Sequence, residues 1–283
     1  MDRLPRPNMN PRVTVIIATY NWSSVLPYSI GSALDQTFRD FELLVIGDGC
    51  TDDSEQVVAA IGDPRVRWMN LPRHGHQSGP NNEGIRVARG ESIAYLGHDD
   101  LWLPHHLEVL VAALDAGADV AQSVAALVGD RAPQHAATNM PTATLHRRSM
   151  IEVTGGWRNF RELKIDPETD LWQRAREAGL RFAFVPRLTG IKFPASWRRD
   201  VYRKRPSHEQ AAWLARIRSE PDLEMRELVK MAMRPDPPRT LEQRIAGLFI
   251  KPWRLPGIVW RRIRPPQRPG ARIQTTQRYK GLR

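Results

Sequence analysis

The sequence predicts an α/β fold in which a mainly parallel sheet is covered by helices on both faces. Apolar segments rich in β-branched residues alternate with segments whose apolar residues recur at helical spacing along residues 12–119. Such alternation is typical of parallel strands joined by crossover helices. Two acidic clusters, at residues 45–54 and 94–102, each follow a predicted strand. Because open sheets of this class bind ligands at the carboxyl ends of their strands, the clusters predict a ligand site.

Each predicted element has its own local signal. The first strand, residues 12–19, is an apolar β-branched run, and the helix after it opens at Ser24 with Pro27 in its first turn. Further strands are predicted at residues 41–46, 66–69, 93–96, 120–128, 142–146 and 181–185. Further helices are predicted after residue 53, at 81–88, from 104 and at 169–178, with two or three amphipathic helices from 207 around a proline-rich break at 235–238.

The composition fits one globular core with a small appendage. The chain has 283 residues, 41% of them hydrophobic, and no run of about 18 apolar residues that would predict a membrane-spanning helix. Residues 1–10 are polar and contain prolines, without the apolar segment of a secretory signal. Cys50 is the single cysteine, so an internal disulfide is excluded and a reducing cytoplasm is the expected location.

The positive charge is concentrated at the end of the chain. The formal net charge is +11, and residues 251–283 hold ten Lys and Arg but no Asp or Glu, which leaves +1 for the first 250 residues. With Trp253 and Trp260 among these charges, the segment fits a peripheral contact with the anionic inner face of a membrane. The alternative is a solvated, partly disordered C-terminus, since several prolines interrupt any long helix. No nucleic-acid module accompanies the charge, so nucleic acid is not an expected partner.

A series of motifs lies in a characteristic order. The segments are VTVIIATYN at 13–21, SALDQTF at 32–38, FELLVIGDG at 41–49, NEGI at 82–85, ARGE at 88–91, DDLWLP at 99–104, TGGW at 154–157 and ETDLW at 168–172. In this order and spacing the chain resembles glycosyltransferase family 2 over residues 11–186. The resemblance implies a Rossmann-like GT-A fold, a nucleotide-sugar donor, a divalent cation (Mg²⁺ or Mn²⁺) and inversion at the anomeric carbon. The basic helical extension follows this unit.

The resemblance implies which residues meet the donor. Asp48 matches the aspartate that hydrogen-bonds the nucleotide base, and a carboxylate suits the N3–H of uracil. The alternative for Asp48 is a polar turn after a strand, and for the first-loop residues it is an ordinary strand end. The remaining residues matched to donor-binding positions are Ala18, Thr19, Tyr20, Asn81, Asn82, Asp99 and Gly156.

The resemblance places the cation at the second acidic cluster. Asp100 is the expected direct ligand, and Asp99 is expected to contact the ribose or the water shell of the metal. Carboxylate and phosphate oxygens are the ligands that hard cations select. The alternative is a helix N-terminus, where acidic side chains ahead of Pro104 favour the helix dipole. His98 is a weaker candidate, because Mg²⁺ prefers oxygen.

Glu168 lies where the family carries its catalytic base. Inverting transfer needs a carboxylate that removes the proton of the acceptor hydroxyl as that oxygen attacks the sugar. Asp166 and Asp170 are competing candidates for the base. The alternative roles for all three are helix capping and surface solvation.

Three positions depart from the family pattern. Gly47 and Gly97 stand where the family often has aspartate, and Asn81 stands where it often has arginine. These changes remove charge from the donor side but keep Asp48, Asp99 and Asp100. Two histidines in the preceding loop, His74 and His76, are candidates to compensate, with ordinary exposed loop histidines as the alternative.

The sequence therefore predicts a metal-dependent inverting glycosyltransferase. The expected donor is a UDP-sugar, and the expected acceptor is a growing glycan or a lipid-linked saccharide. Two alternatives stay open: a nucleotide-sugar-binding protein without turnover, and transfer to a polyprenyl phosphate. The predicted organisation is a catalytic domain at 11–206, divided into nucleotide (11–104) and acceptor (105–206) halves, a helical extension at 207–250 and the basic tail at 251–283.

Overall fold

A computed structural model describes residues 10–128, 136–137, 140–194, 200–205 and 208–233 of the chain. Within these residues nine strands form one mixed sheet. The strands are β1 (Val13–Thr19), β2 (Phe41–Asp48), β3 (Val66–Leu71), β4 (Ser92–Tyr95), β5 (Leu101–Trp102), β6 (Val120–Leu127), β7 (Ala136–Ala137), β8 (Thr144–Arg147) and β9 (Phe182–Lys192).

The strand order brings the carboxyl ends of six strands, β1, β2, β3, β4, β6 and β9, to one edge of the sheet. The order is β3-β2-β1-β4-β8-β6-β9-β5, with β7 paired to β6. Strands β3, β2, β1 and β4 are parallel, β8 is antiparallel to both β4 and β6, and β9 is parallel to β6. Strand β9 therefore runs in the same direction as β1, and its C-terminal end lies at the edge where β1, β2 and β4 also end. This confirms the predicted α/β fold with a mainly parallel, mixed sheet.

Helices cover both faces of the sheet. They are α1 (Leu26–Leu34), α2 (Ser54–Ala59), α3 (Ser78–Val87), α4 (His106–Asp115), α5 (Met150–Thr154), α6 (Pro167–Glu177), α7 (Val201–Lys204), α8 (His208–Ser219) and α9 (Leu223–Ala232). One apolar cluster joins the sheet to α1 and α4, and a second joins the opposite face to α5 and α6. Because both faces are covered, strand β2, which lies between β3 and β1, is buried at every position, as its largely apolar sequence predicts.

Strand β9 is much longer than the sequence indicates. The predicted segment 181–185 stops before Pro186, whereas the strand runs on to Lys192. Its pairing with β6 is irregular between Phe184 and Leu188, so Pro186 lies in a break of the register. A proline has no N–H to give to a ladder and is tolerated at such a break. The proline therefore marks an irregularity within the strand and not its end.

Helices α8 and α9 pack beside β9 and β5, the last two strands in the order of the sheet. Leu214 and Ile217 of α8 and Leu223 of α9 join a third apolar cluster with residues of β5 and β9. These helices confirm the helical character expected from residue 207, while the predicted proline-rich break and the basic tail at 251–283 lie outside the described residues. In the part of the chain that the structure describes, no helix has the length and apolar character needed to cross a membrane.

Candidate active site

Asp48, the last residue of β2, is buried and bound by the loop that follows β3. Its Oδ1 accepts from the backbone N of His74 at 2.6 Å, and its Oδ2 accepts from the N of Gly75 at 2.8 Å. Arg73 Nη1 also donates to Oδ2, at 3.1 Å. These donors fix the carboxylate at the edge of the sheet. The exposed ring of His74 also approaches this carboxylate, with its Nδ1 at 3.5 Å from Oδ1.

The ring of Tyr20 lies under a guanidinium. The Cζ atom of Arg73 is 3.2 Å from the centroid of the Tyr20 ring, within the range of a cation–π contact. Arg73 therefore connects the two residues that the sequence assigns to the nucleotide base, Tyr20 and Asp48. Just before Tyr20 in the chain, the hydroxyl of Thr19 lies 3.0 Å from Nδ1 of His98, so β1 and the second acidic cluster are directly joined.

Asp100 is fully buried and its carboxylate binds protein donors with both oxygens. Oδ2 accepts from the hydroxyl of Thr142 at 2.5 Å and lies 2.9 Å from Nζ of Lys192. Oδ1 accepts from the backbone N of Phe193 at 3.2 Å. A metal ion on Asp100 would have to displace an ammonium, so this arrangement favours a bracing role for Asp100 over the expected direct ligation.

Lys192 is a site residue that the sequence reasoning missed. It ends β9, and its side chain is 26% exposed where that of Asp100 is 0% exposed, so it reaches from the buried carboxylate to the surface of the site. Burial alone would lower the pKa of Lys192, but the charges of Asp100, Asp99 and Glu168 and the bond to Asp100 outweigh it and raise the pKa. The ammonium is therefore a fixed positive charge among three of the predicted site carboxylates.

Asp99 is held through its backbone by the helical extension. The side-chain amide of Gln210, buried in α8, donates to the carbonyl oxygen of Asp99 at 3.2 Å. Nε2 of His98 is 3.9 Å from Oδ1 of Asp99, and the His98 ring packs edge-on against Trp22. His98 thus lies in a protein contact network, which gives no added support to metal binding by this ring.

The three candidate bases occupy different positions at the start of α6. Asp170 binds arginine with both oxygens: Arg174 Nη2 is 2.7 Å from Oδ2, and Arg158 Nη1 is 3.5 Å from Oδ1. Asp166 is the N-cap residue and accepts the backbone N of Asp170 through its own carbonyl. Glu168 is half-buried on the first turn, where its charge acts on Lys192. The arrangement favours Glu168 as the base and a structural role for Asp170.

The glycine pair ahead of α6 is locked to α3. Both Gly155 and Gly156 have positive φ angles, of 76° and 79°, and a Cβ on Gly156 would lie 2.8 Å from Oδ1 of Asn82. The Asn82 side chain bonds both backbone groups of Trp157, accepting from its N at 2.9 Å and donating to its O at 2.8 Å. Asn82 therefore positions this loop, and Asn81 is buried beside it in α3.

Two of the three departures from the family pattern have a steric cause. A Cβ on Gly47 would lie 2.6 Å from Oδ1 of Asn70, and a Cβ on Gly97 would lie 2.4 Å from Oδ2 of Asp100. At each of these two positions, a neighbouring polar side chain, Asn70 or Asp100, fills the space that a side chain of residue 47 or 97 would need. His76, the other histidine proposed to compensate, bonds Ser78, and its ring lies 4.6 Å from that of Phe160 at a tilt of 32°.

The fit of a metal ion rests on Asp99. Among the described residues no group of three or more His, Cys, Asp or Glu side chains is arranged to hold a metal. A cation that bridges a diphosphate needs only one or two protein carboxylates, because phosphates and water supply the other oxygens. With Asp100 engaged by Lys192, Asp99 is the carboxylate of this pair that fits such a role.

The fold and the site together define a class of protein. A mixed sheet of this order, with carboxylates at the ends of β2 and β4 and a further one on α6, is a GT-A fold with the elements of a glycosyltransferase. A family model, "Glycosyl transferase family 2", matches residues 14–183. The chain belongs to this family.

Curated relatives agree with this family over rather more than a third of the chain. The succinoglycan biosynthesis protein ExoO of Rhizobium meliloti is 40% identical over 112 residues, covering 39% of this chain and 32% of that protein. The UDP-Glc:alpha-D-GlcNAc-diphosphoundecaprenol beta-1,3-glucosyltransferase WfgD of Escherichia coli is 30% identical over 102 residues, covering 36% of this chain and 40% of WfgD. The aligned part spans about a third of the length of the first curated relatives.

Solved structures share the fold at low identity. TarS 1–349 of S. aureus in complex with UDP-GlcNAc superposes with a TM-score of 0.57 at 19% identity, covering 64% of this chain and 58% of that one. The mannosyltransferase PcManGT of Pyrobaculum calidifontis in complex with GDP-Man and Mn²⁺ gives a TM-score of 0.54 at 18% identity, covering 99% and 88%. These likenesses support the GT-A fold.

Proposed function

We propose that this glycosyltransferase transfers a sugar, with inversion, from a UDP-sugar to a glycan or lipid-linked saccharide, with the help of a divalent cation. The observation that carries the proposal is that Asp48 ends β2 at the same end of the sheet as the end of β9, where the charges of Asp99 and Glu168 both act on Lys192. Donor recognition is assigned to residues 11–104 and acceptor recognition to 105–206. The remaining chain supports or anchors this unit.

The donor end of the site suits a uridine nucleotide. Tyr20 offers an aromatic face, and the Asp48 carboxylate is a buried acceptor for the N3–H of the base. Ala18 and Thr19 lie at the end of β1, Asn81 and Asn82 lie in α3, and Gly156 lies in the loop after α5 that Asn82 bonds. UDP-GlcNAc and UDP in the TarS complexes, and UDP-Glc in the name of WfgD, support this choice of nucleotide.

The chemistry assigned to the other carboxylates follows from their positions. Glu168 removes the proton of the acceptor hydroxyl, that oxygen forms a bond to the anomeric carbon, and the bond from that carbon to the diphosphate breaks. Attack from the face opposite to the leaving group inverts the configuration. Asp170 and Asp166 hold the helix start that carries Glu168.

A divalent cation completes the donor site in this proposal. Asp99 would hold the ion with its carboxylate, while Asp100 holds Lys192. Mg²⁺ or Mn²⁺ bound there would supply charge neutralisation for the departing diphosphate. The Mn²⁺ in the PcManGT complex supports a divalent ion in this fold.

The proposed acceptor is supported by one relative, and the proposed location is supported by the charge of the segment 251–283. The name of WfgD specifies a diphosphoundecaprenol-linked sugar, which supports a lipid-linked saccharide as acceptor. The basic segment 251–283 supports a peripheral place on an anionic membrane surface, on its cytoplasmic side. Such a location would bring the transferase to acceptors that are held in the bilayer.

Donor hydrolysis and transfer test the proposal directly. The full chain is incubated with UDP-glucose or UDP-GlcNAc and Mn²⁺, with and without diphosphoundecaprenol-linked saccharides, and free UDP is measured. Metal-dependent release of UDP that rises with acceptor supports the proposal. Binding of UDP-sugars without any release under these conditions favours the binding-protein alternative, and full activity in EDTA would exclude the metal-assisted mechanism.

A further inference from the structure

One charged group in the site has no part in the chemistry assigned above. The ammonium of Lys192 lies 2.9 Å from Oδ2 of Asp100, and the charges of Asp99 and Glu168 act on it. It stands at the carboxyl end of β9, on the edge of the sheet where β1, β2 and β4 also end. It therefore lies among the residues assigned to the leaving group and to the base.

The position of Lys192 is fixed by a chain of contacts on the Asp100 side. Thr142 donates to the same Oδ2, and the indole Nε1 of Trp102 donates to the backbone O of Thr142 at 2.7 Å. The backbone N of Phe193, next to Lys192, bonds the other oxygen of Asp100. Asp100 thus holds both the backbone and the ammonium at the end of β9. A lysine held in this way is a preorganised positive charge.

We propose that Lys192 binds the diphosphate of the donor, as a cation built into the protein beside the divalent ion. The inference rests on the proposed function, because it needs a nucleoside diphosphate at this edge. An ammonium has three N–H donors, of which Asp100 accepts one. A second N–H donated to a phosphate oxygen is a charge-assisted bond, which strengthens as negative charge develops on the leaving diphosphate.

The same arrangement gives Asp100 a role that differs from metal ligation. The carboxylate holds the lysine from the buried side, and the lysine presents its charge on the partly exposed side. Without an acceptor oxygen at position 100 the ammonium would lose its fixed position, and without Lys192 the carboxylate would be a buried charge with no counter-ion. Any test of Lys192 must therefore remove the charge of Asp100 as well.

Two variants that differ only in the lysine test the proposal. D100N keeps Lys192 together with an amide oxygen that can accept its hydrogen bond, and the double variant K192M/D100N removes the lysine without leaving an unpaired buried carboxylate. Titration calorimetry with Mn²⁺ present measures UDP and, separately, uridine, which has the base and ribose but no phosphate. We expect the double variant to bind UDP at least tenfold more weakly than D100N and to bind uridine equally well. Lys230→Met, which breaks a lysine pair with the buried Glu227 on α9, is the matched control and should change neither affinity.

The outcomes separate this proposal from the one on which it rests. Equal UDP affinity in the two variants, with wild-type binding intact, would overturn the role of Lys192 alone. A parallel loss of uridine and UDP would also overturn it, because that pattern shows a general loss of the site. Failure of the wild-type chain to bind UDP or GDP with Mn²⁺ would overturn both proposals.

Discussion

Gly97 and Asp100 share one small volume. A Cβ on Gly97 would lie 2.4 Å from Oδ2 of Asp100 and 2.8 Å from its Cγ, distances that no side chain can adopt. The missing aspartate at position 97 and the inward position of Asp100 are therefore one feature. The carboxylate of Asp100 fills the space beside residue 97 and from there holds Lys192.

Gly97→Ala tests this relationship. The methyl group should push Asp100 away from Thr142 and Lys192, and overpacking of this kind costs about 1–3 kcal/mol in the free energy of unfolding. Gly190→Ala in β9 is the matched control, since its Cβ would meet ordinary contacts of 3.5 Å or more. Urea unfolding of both variants measures the difference. If both variants are as stable as the wild type, the Asp100 side chain can move away from residue 97 at no cost, and the proposed steric conflict between the two residues is wrong.

Glu168→Gln should impair transfer without impairing donor binding. The amide keeps the size of the side chain but cannot take a proton, so we expect kcat to fall roughly 10²–10⁴-fold, the range for loss of a general base. The affinity for UDP, measured by calorimetry, should stay within about twofold. Loss of UDP binding instead would place Glu168 on the donor side.

Asp170→Asn should act on stability more than on catalysis. Asp170 binds Arg174, which also donates to the carbonyl oxygens of Thr154 and Gly156, so the loop ahead of α6 depends on this pair. Loss of a charge-assisted bond in a buried setting costs about 1–3 kcal/mol. Thermal unfolding should show the loss, while kcat at low temperature should exceed that of Glu168→Gln by at least tenfold. The reverse order of activities would move the base to Asp170.

Arg73→Ala should increase the affinity for uridine. Arg73 covers the face of Tyr20 and bonds Asp48, so a base that stacks on the ring and donates to the carboxylate has to displace both contacts. We expect binding at least threefold tighter by calorimetry. Arg65→Ala, which removes a similar contact with Phe41 away from the site, should have no effect. Weaker binding to Arg73→Ala would instead show that the guanidinium contacts the base.

Stability should fall as the pH drops below the ordinary pKa of histidine. Burial lowers the pKa of His146 from 6.5 to about 4, and its Nε2 lies 3.0 Å from the hydroxyl of Tyr95. The unfolded chain binds the proton at higher pH than the folded chain, so this group stabilises the fold above pH 6.5 and loses that contribution as the pH falls towards 4.

Urea unfolding between pH 7.5 and 4.5 measures this effect in the wild type and in His146→Gln. Each pH unit within the window should cost the wild type about 1.4 kcal/mol more than the variant, which cannot titrate at this position. The buried His106 is present in both proteins, so its own lowered pKa cancels in the comparison. Identical pH profiles would show that His146 titrates normally in the folded chain.

The local pattern of the sequence was sufficient for the fold. Alternation of β-branched runs with amphipathic segments predicts β1 to β4 and the helices between them, because each of these signals is contained within a few neighbouring residues. Asp48 ends β2, and Asp99 follows the end of β4 by four residues, so both acidic clusters follow strands as the sequence predicts. The short strand β5 (Leu101–Trp102) was not predicted, since two residues carry no periodicity and its pairing with β9 is a tertiary choice.

The partners of the site carboxylates were not predictable in the same way. Lys192 lies beyond Pro186, which on its own indicates the end of a strand, and Gln210 lies in a helix with no motif around it. Both reach the site through contacts between distant parts of the chain. One signal was present: Gly97 beside two aspartates indicates that a neighbouring carboxylate needs the space.

The pairing of Lys192 with Asp100 also means that the site cannot form until β9 has been synthesised. The two residues are 92 positions apart, and Gln210 joins Asp99 across 111 positions. A ribosome that adds about 5–20 residues per second emits β4 several seconds before β9. During that interval β6 lacks its parallel neighbour β9 and is an edge strand. The unpaired backbone groups of an edge strand can bond those of another chain, which leads to aggregation. Chains released early, before residue 192, should therefore be recovered as aggregates more than as folded fragments.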